Sequence, residues 1–270
     1  MKICLIQICS QLYPEQNMAK IDHLITQAKN QHSDIKAVFL PEVFYSMSDG
    51  LKPTEHLVAE GNSHYQHIQK LAQRHQVYLL GGSAAYLAND KVMNRNLNFS
   101  PEGELMNYYD KIHLFTLDLS QSADKTKLDE RDLYNPGDEL KLLDFEEFKL
   151  GLTICFDLRF PEIFRELYKK GANVFTVSSA FTKPTGMAHW KTLVRARAIE
   201  NQSYVIACNQ WGEHNPKMRS YGHSMVVDPW GDILVDMGEG EDFAVADISI
   251  ERVNEIRSRM DMTSRFTYKD

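Results

Sequence analysis

The chain has few cysteines, no excess of basic charge and no long apolar run, and each shortage excludes a class of protein. Four cysteines in 270 residues do not make a disulfide scaffold, so a reducing cytoplasm is the expected location. With 30 Lys and Arg against 37 Asp and Glu, a net charge of −7 disfavours a nucleic-acid partner. We also expect no membrane partner and no signal peptide, because no apolar stretch would span a bilayer and residues 1–10 lack a basic start and a small-residue cleavage site.

The chain does contain an alternation of strand-like apolar runs and helix-like patterns, with no linker, repeat or low-complexity segment. We therefore expect a single domain over residues 1–270. Several of the runs are apolar on both faces and need cover on both sides, which predicts a layered α/β fold. Strands are predicted at 2–9, 36–40, 76–80, 140–145, 148–154, 173–178, 203–209, 223–228, 233–237 and 243–248, and helices at 18–31, 65–74, 161–170, 188–201 and 251–260.

Two segments in the middle of the chain have a different pattern. Residues 92–99 and 104–109 flank the turn-rich quartet 100–103, which predicts a β-hairpin. Residues 116–138 show no clean periodicity and carry many charges, so we expect one long loop there. Long loops in compact domains are often functional.

Cys155 directly follows the strand predicted at 148–154 and precedes a predicted helix. Sites in α/β sheets gather at the carboxyl ends of strands, and N–H groups at a helix start stabilise thiolates and oxyanions. The alternative, a small buried hydrophobe, stays open because free cysteine is among the most buried residue types. Cys4, Cys9 and Cys208 lie in or at the ends of apolar runs, and core packing is the better interpretation for each.

A thiol nucleophile needs a base and a group that stabilises the oxyanion. Glu42 follows the strand at 36–40, where partial desolvation would raise the pKa of a carboxylate toward that of a general base. Lys111 follows the second hairpin strand, where its ammonium would stabilise a developing oxyanion. Taken singly, each residue is better explained as a charge at the point where a strand meets solvent.

The histidines give no comparable signal. His113 is interpreted as a packed structural residue. His64 and His67 are one helical turn apart, as metal ligands are, but their Gln and Lys neighbours favour a solvated face. No Cys or His cluster has zinc spacing, so we expect no metal.

Considered together, three strand-end segments change this assessment. Pro41–Glu42, Tyr109–Asp110–Lys111 and Gly151–Leu152–Thr153–Ile154–Cys155 resemble, in order and spacing, the three motifs of the nitrilase superfamily of carbon–nitrogen hydrolases. The resemblance extends over nearly the whole chain. It implies a four-layer αββα sandwich that forms a homodimer or larger homo-oligomer through its helices and uses no metal or organic cofactor.

The resemblance also implies a role for each matching residue. Glu42 would be the general base, Lys111 the oxyanion stabiliser and Cys155 the nucleophile. Glu130, shortly before the turn Pro136–Gly137–Asp138, matches a second glutamate of many members, although a solvated loop charge is the alternative. The implied reaction forms a thioester on the cysteine, with the oxyanion also held by the backbone N–H of Phe156, and a water activated by the glutamate then releases the acid.

The run Cys155–Phe156–Asp157 differs from the Cys-Trp-Glu of true nitrilases and resembles the amidase branch of ω-amidases and deaminated-glutathione amidases. Segments 179–182, 185–190, 195–201 and 220–231 fit the second type best. The implied activity is hydrolysis of the terminal amide of a small carboxylate-bearing α-keto acid, with release of ammonia, and deaminated glutathione is the leading substrate. The alternatives are α-ketoglutaramate, another amide of this superfamily, and a non-enzymatic binding protein with an inert triad.

Arg159 supports a carboxylate-bearing substrate, since its guanidinium would bind a carboxylate bidentately four residues after the nucleophile. A structural ion pair with Glu162 or Glu166 is the alternative. Matches to pocket-lining positions are Tyr45, Phe181 and Thr185, whereas Met187 and Trp190 are interpreted as core residues.

Other classes of protein fit less well. Gly222–His223–Ser224–Met225–Val226 imitates a serine-hydrolase elbow, but it lacks the last glycine and a strand is predicted through it. No phosphate-binding G-x-x-x-x-G-K-[ST] motif is present. Three segments depart from close relatives. Residues 257–270 lack the familiar ending, Glu42 is followed by Val43–Phe44–Tyr45–Ser46 where Cys-Phe or Met-Phe is often seen, and residues 119–132 are unusually polar and are expected to border the pocket.

Overall fold

Helices and strands alternate along the chain in the computed structural model, which describes residues 1–118, 127–216 and 218–262. The helices are α1 (Pro14–Gln31), α2 (Ser63–His75), α3 (Pro161–Lys169), α4 (Lys191–Asn201) and α5 (Ile250–Arg259). The strands are β1 (Lys2–Gln7), β2 (Ala37–Phe39), β3 (Tyr78–Leu80), β4 (Ser83–Ala88), β5 (Lys91–Phe99), β6 (Leu105–Asp110), β7 (Thr116–Asp118), β8 (Lys127–Asp129), β9 (Leu142–Phe145), β10 (Phe148–Ile154), β11 (Val174–Ser179), β12 (Tyr204–Asn209), β13 (Trp211–Asn215), β14 (Met218–Tyr221), β15 (Met225–Val227), β16 (Ile233–Asp236) and β17 (Asp242–Asp247). Short helical segments lie at Glu130–Asp132, Cys155–Arg159, Lys183–Thr185 and Gly186–Trp190, the last of which is a π-helix.

The first sheet contains seven of the described strands, in the order β17-β1-β2-β3-β5-β4, with β6 paired to β5. Its strands β1, β2 and β3 are parallel, and β5 and β6 form the antiparallel pair expected from the hairpin pattern. Side chains of β1 alternate between the two faces, as the pleat of a strand requires. Ile3 and Leu5 belong to a buried cluster shared with the second sheet, whereas Cys4 and Ile6 belong to a cluster beneath α1 and α2.

The second sheet contains six of the described strands, in the order β16-β15-β12-β11-β10-β9, with β10, β11 and β12 parallel. Phe164 and Leu167 of α3 and Val194 and Ala198 of α4 pack into the same cluster as these central strands. Helices therefore cover the outer face of each sheet, and the two inner faces pack against each other. The expected four-layer αββα sandwich is confirmed.

The boundaries of α3 follow from its sequence. Pro161 stands in the first turn, where its missing N–H breaks no helical hydrogen bond. The helix ends before Gly171, whose φ of 101° lies in the left-handed region that favours glycine. This helix therefore starts and stops at the chain positions that its proline and glycine predict.

The structure differs from the sequence prediction in two kinds of segment. Residues 116–138 are not one irregular loop, because β7 and β8 pair within them and a helical turn follows at Glu130–Asp132. Residues 119–126, within that segment, and 263–270, within the atypical ending, lie outside the described residues. Strands β4, β13 and β14 were not predicted, because they are rich in small or polar residues and give little apolar alternation.

Two further expectations concern single segments. Ser224 is buried, and its hydroxyl accepts the N–H of Asn209 at 2.9 Å immediately before strand β15, so the imitation of a serine elbow is part of a sheet. None of the described helices is both long and apolar enough to cross a membrane.

Candidate active site

Glu42 lies just beyond the end of β2 and is only 2% exposed. Its Oε1 accepts hydrogen bonds from Asn94 Nδ2 at 2.9 Å and Lys111 Nζ at 2.8 Å. Its Oε2 accepts the backbone N–H of Ala180 at 2.8 Å, from the end of β11 in the other sheet. These bonds hold both carboxylate oxygens in place.

Lys111 directly follows β6 and is completely buried. Its Nζ donates to Glu42 and also lies 2.9 Å and 2.7 Å from the two carboxylate oxygens of Glu130. Burial by itself disfavours the ammonium, but the negative charges of Glu130 and Glu42 outweigh it and raise the pKa of Lys111 well above its ordinary value. The side chain is therefore a cation that stays charged at every physiological pH.

The backbone of Lys111 is held by the turn that contains Gly137. The N–H of Gly137 donates to the carbonyl of Lys111 at 2.9 Å. A Cβ at this position would lie 2.3 Å from the carbonyl oxygen of Asp110, so only glycine fits this close approach. The Pro-Gly-Asp turn thus supports the lysine from behind.

Glu130 lies in the helical turn after β8, and its Oε2 also accepts the backbone N–H of Phe115 at 2.7 Å. Burial raises the pKa of Glu130, and the charge of Lys111 opposes the rise only in part. The residue is therefore not a solvated loop charge. The buried carboxylate of Glu42 and the partly buried carboxylate of Glu130 thus share one buried ammonium.

Cys155 comes directly after β10, with a φ of 48° in the left-handed region, and is 7% exposed. Burial and the charge of Glu42 raise the pKa of its thiol well above the ordinary value, while Lys111 has the opposite influence. The resting group is therefore a protonated thiol, and it needs a base before it can attack.

A cavity of about 90 Å³ joins these groups. Its lining contains Glu42, Glu130 and Cys155, whereas Lys111 lies behind the two carboxylates. The remaining lining residues supply apolar and aromatic walls with a few polar groups: Val43, Met47, Ser48, Gly50, Phe115, Asp129, Leu133, Tyr134, Phe156, Arg159, Ala180, Phe181, Thr182, Thr185 and Met218.

Arg159 is the one Lys or Arg among the described lining residues. Its guanidinium carbon lies 5.8 Å from the ring centroid of Phe156 and 5.3 Å from that of Phe181, and its Nη2 lies 3.3 Å from Nδ1 of His189. Within the described part of the chain no carboxylate forms an ion pair with it. The alternative of a structural pair with Glu162 or Glu166 is therefore not observed.

The other predicted lining residues divide into two groups. Phe156, Phe181 and Thr185 line the cavity, and the Thr185 hydroxyl lies 2.9 Å from that of Thr182. Tyr45 is 1% exposed and is not among the described lining residues. Its placement gives no support to the prediction that it binds substrate.

The hydroxyl of Tyr45 lies instead 2.8 Å from Nδ1 of His64 and 3.4 Å from Nδ1 of His67. Nδ1 of both histidines therefore faces the buried phenol of Tyr45. The prediction that His64 and His67 lie on a solvated face was wrong for these two atoms. Among the described residues no group of three or more His, Cys, Asp or Glu side chains is arranged to hold a metal ion. Trp190 is buried as predicted, but Met187 is 67% exposed, so its interpretation as a core residue was wrong.

Sequence reasoning missed the groups that hold Glu42 in place. Asn94, Asn96 and Asn98 alternate along β5 and are all fully buried. Asn94 binds Glu42, while Asn96 and Asn98 bind the backbone of Gly81. Amide side chains at every second position of a strand were the available signal, because buried polar groups need partners.

The family is shown by comparison with known proteins. A family model described as carbon-nitrogen hydrolase matches residues 2–258, and the chain therefore belongs to the carbon–nitrogen hydrolase family. It is an enzyme of that class, within the nitrilase superfamily to which its fold also corresponds.

Individual relatives show which members of the family this chain is similar to. A deaminated glutathione amidase of Dictyostelium discoideum is 36% identical over 96% of this chain and 91% of its own length. The ω-amidase NIT3 of Saccharomyces cerevisiae is 32% identical over 98% of this chain and 92% of its own length. The crystal structure of Saccharomyces cerevisiae Nit3, a member of branch 10 of the nitrilase superfamily, superposes with a TM-score of 0.85 at 29% identity, covering 99% of this chain and 97% of that one.

Proposed function

We propose that this hydrolase is an amidase that cleaves the amide of a small α-keto acid through a thioester on Cys155. The observation that carries the proposal is that the Cys155 thiol and the carboxylates of Glu42 and Glu130 line one cavity, with the buried ammonium of Lys111 bound to both carboxylates. A thiol supplies the nucleophile, a fixed carboxylate moves the protons, and an ammonium stabilises negative charge on oxygen.

In the acylation step Glu42 takes the thiol proton and Cys155 Sγ forms a bond to the amide carbon. The carbonyl electron pair moves to oxygen, where Lys111 and the backbone N–H of Phe156 stabilise the oxyanion. The oxyanion then collapses, the C–N bond breaks, and the leaving nitrogen takes the proton back from Glu42. The product of this half-reaction is a thioester and a free amine or ammonia.

In the deacylation step Glu42 removes a proton from water, whose oxygen attacks the thioester carbon. The C–S bond breaks, and Cys155 recovers the proton from Glu42 as the carboxylic acid leaves. Transferring the thiol proton to Glu42 leaves the total charge of the buried cluster unchanged. Burial and the charge of Glu42 both disfavour the thiolate, so Cys155 should ionise only as Glu42 takes up its proton.

To stabilise the oxyanion, the ammonium of Lys111 must have an N–H group that can donate to it. An ammonium has three N–H donors, and its Nζ contacts one oxygen of Glu42 and two of Glu130. One donor can turn from a Glu130 oxygen to the oxyanion while the other Glu130 oxygen keeps the lysine in place. Glu130 thus supports the lysine through both states.

The substrate class follows from Arg159. The cavity lining carries Glu42, Glu130 and Asp129 on one side, and these carboxylates would repel an anionic substrate. Arg159 offers a guanidinium that pairs with no described carboxylate, between the rings of Phe156 and Phe181. A substrate whose carboxylate binds this arginine and whose amide reaches the thiol fits both ends of the cavity.

The leading substrate is deaminated glutathione, on which relatives of 36% identity are named as acting, and α-ketoglutaramate is the second candidate. The amide of deaminated glutathione joins a 2-oxoglutaryl group to cysteinylglycine, so its leaving group is the amine of the dipeptide. Ammonia leaves only from a primary amide such as α-ketoglutaramate. The expectation of ammonia release therefore applies to the second candidate alone.

The test measures 2-oxoglutarate, the acid product common to both substrates, together with cysteinylglycine in one reaction and ammonia in the other. Wild-type protein and Cys155→Ala are compared with each substrate. A higher kcat/KM for deaminated glutathione supports the first assignment, and a higher value for α-ketoglutaramate supports the second. No turnover of either substrate by wild-type protein contradicts the keto-acid substrates and leaves another amide or a binding protein with an inert triad. Equal turnover by Cys155→Ala contradicts a thioester on that residue.

We further propose that the enzyme is a cytoplasmic homodimer. The four cysteines are all unpaired, which suits a reducing compartment. Ile199 of α4 lies beside Gly231, next to the exposed Trp230, and together they form an apolar patch on the outer face of the second sheet. Light scattering on wild-type protein and on Trp230→Glu tests the dimer, and a wild-type monomer contradicts it.

A further inference from the structure

Asp157 is fully buried two residues after the nucleophile, and its carboxylate has four hydrogen-bonding partners. Oδ2 accepts the hydroxyl of Tyr109 at 2.8 Å and the backbone N–H of Ile154 at 2.9 Å. Oδ1 accepts the backbone N–H of His113 at 3.1 Å and lies 2.8 Å from Nδ1 of the same residue. The contact with the ring is a hydrogen bond in which Nδ1 of His113 donates and the carboxylate oxygen accepts.

These partners come from two different segments of the chain. Tyr109 and His113 stand on either side of Lys111, two residues before it and two after it. Ile154 is the last residue of β10, directly before Cys155. A single carboxylate therefore joins the segment that carries the lysine to the segment that carries the cysteine.

Ring stacking and backbone conformation restrain the two segments that Asp157 connects. The ring of His113 is stacked on that of Phe160, with centroids 3.6 Å apart and planes 9° from parallel. Cys155 itself has a left-handed φ of 48°, a conformation that a residue with a side chain keeps only when its neighbours hold it there. The hydrogen bond from Ile154 N–H to Asp157 closes the chain around this residue on its N-terminal side.

We infer that Asp157 is a positioning residue for the reaction, which sets the spacing between the ammonium of Lys111 and the thiol of Cys155 through Tyr109, His113 and Ile154. The inference rests on the proposed function, because that function gives the lysine and the cysteine their roles. Asp157 does not touch substrate, since it lies outside the described lining of the cavity. It acts on the rate through the two residues that do the chemistry.

Positioning and simple structural support predict opposite changes in thiol reactivity. The charge of Lys111 favours the thiolate of Cys155, so a longer spacing between them makes the thiol less acidic and slows its alkylation. Loss of structural support alone would expose buried thiols and speed their alkylation. Cys4 and Cys208 report on such exposure because both are buried, and burial raises the pKa of Cys4 to about 12.

The experiment compares wild-type protein with Asp157→Asn, which keeps the shape but has one acceptor oxygen in place of two. The variant therefore loses either the Tyr109 and Ile154 hydrogen bonds or those of His113. We expect kcat to fall about 100-fold, the size of effect that a small misplacement produces, with KM within about twofold of wild type. Iodoacetamide should label Cys155 about tenfold more slowly at neutral pH, with its pH profile displaced upward. Asp144→Asn, which removes a carboxylate that is 84% exposed on β9, is the matched control and should change nothing.

A second variant keeps the inference testable if Asp157→Asn does not fold. Tyr109→Phe keeps the packed ring and removes one hydrogen bond to Asp157, and it should slow turnover and Cys155 labelling about fivefold. An unchanged kcat in either variant, or faster labelling of Cys155 together with Cys4 and Cys208, overturns the inference. Failure of the proposed function is seen separately, as an absence of amide hydrolysis by wild-type protein, because the labelling comparison needs no substrate.

Discussion

The two sheets supply the site with groups of different character. The first sheet contributes Glu42, Asn94 and Lys111, whose polar atoms are bound to one another within the interior. The second sheet contributes Cys155 and Arg159, which face the cavity and pair with no described carboxylate. Groups that transfer protons need partners that hold them in place. Groups that bind the substrate need reactive atoms or hydrogen-bond donors that no other residue already occupies.

The comparison also explains why the nucleophile rests as a thiol. Burial holds the pKa of the Cys155 thiol above its ordinary value. The carboxylates of Glu42 and Glu130 act in the same direction, and the ammonium of Lys111 opposes them. Cys155 of the second sheet therefore stays protonated until Glu42 of the first sheet takes its proton.

The largest effect is expected on the second sheet. Cys155→Ala removes the nucleophile and should lower kcat by at least about 10⁴-fold for every amide substrate. Thermal unfolding should be nearly unchanged, because the alanine fills most of the same volume and leaves no charge unpaired. Turnover within tenfold of wild type, measured by 2-oxoglutarate release, would contradict a thioester on this residue.

The matching change on the first sheet should affect both rate and stability. Lys111→Met leaves the buried Glu42 and the partly buried Glu130 without a counter-charge. It should lower kcat about 10³-fold and the free energy of unfolding by about 3–5 kcal/mol. Without the lysine the folded carboxylates have raised pKa values, so the folded protein binds more protons than the unfolded chain. Its loss of stability should therefore be greater at pH 8 than at pH 5.

Urea unfolding of wild-type and Lys111→Met protein at the two pH values measures this difference. Lys141→Met, which removes a partly exposed lysine from outside the cavity, is the control and should cost little. Equal losses for the two variants would show that the buried lysine has no special electrostatic role.

Arg159 allows a test that is selective for the substrate. Arg159→Ala should raise KM about 100-fold for a keto-acid amide and leave kcat/KM for a neutral amide of similar size within about threefold. Arg159→Lys should recover only part of the loss, because an ammonium does not bind a carboxylate bidentately. Equal losses on both substrates would place the arginine in structural support.

The smallest change is expected at Glu130. Glu130→Gln keeps a contact to Lys111 and the N–H of Phe115 but removes a charge, so kcat should fall only about tenfold. The pKa of Glu130 is raised above its ordinary value of 4.5, so the folded protein retains this proton to higher pH than the unfolded chain. Wild-type stability should therefore decline as pH rises above 4.5 up to the folded pKa, and the glutamine variant should decline less.

Denaturant unfolding of both proteins from pH 4 to pH 8 gives the two curves. Parallel curves over that range would mean that Glu130 titrates alike in the folded and unfolded chains.

The placement of the main site residues was predictable because each follows an apolar strand. Glu42, Lys111 and Cys155 stand one to three residues beyond β2, β6 and β10. Since β10 lies in the second sheet, the packing of the two sheets on each other brings these strand ends together. Glu130 was indicated only by resemblance, since the surrounding segment has no periodicity. Its contact with the lysine depends on the pairing of β7 with β8, which no local sequence pattern predicts.

The errors have local physical causes. Met187 lies in the π-helical turn Gly186–Trp190, where the extra residue per turn rotates the helix faces away from the usual spacing. Asn94 and Asp157 were missed because a buried polar residue on a strand or turn is recognisable only once its partners are known. That Tyr45 binds substrate remains a prediction from its matching family position, and its hydroxyl lies beside two histidines.

The left-handed backbone at Cys155 has a practical consequence for capturing ligands. A residue with a Cβ in this conformation carries an energetic penalty of about 1–3 kcal/mol, which glycine does not share. Cys155→Gly should therefore be inactive, with a higher free energy of unfolding than Cys155→Ala. It should also have a larger cavity, because the side chain at this position is missing. Such a protein is suited to retaining uncleaved amides from a mixture of metabolites for identification by mass spectrometry.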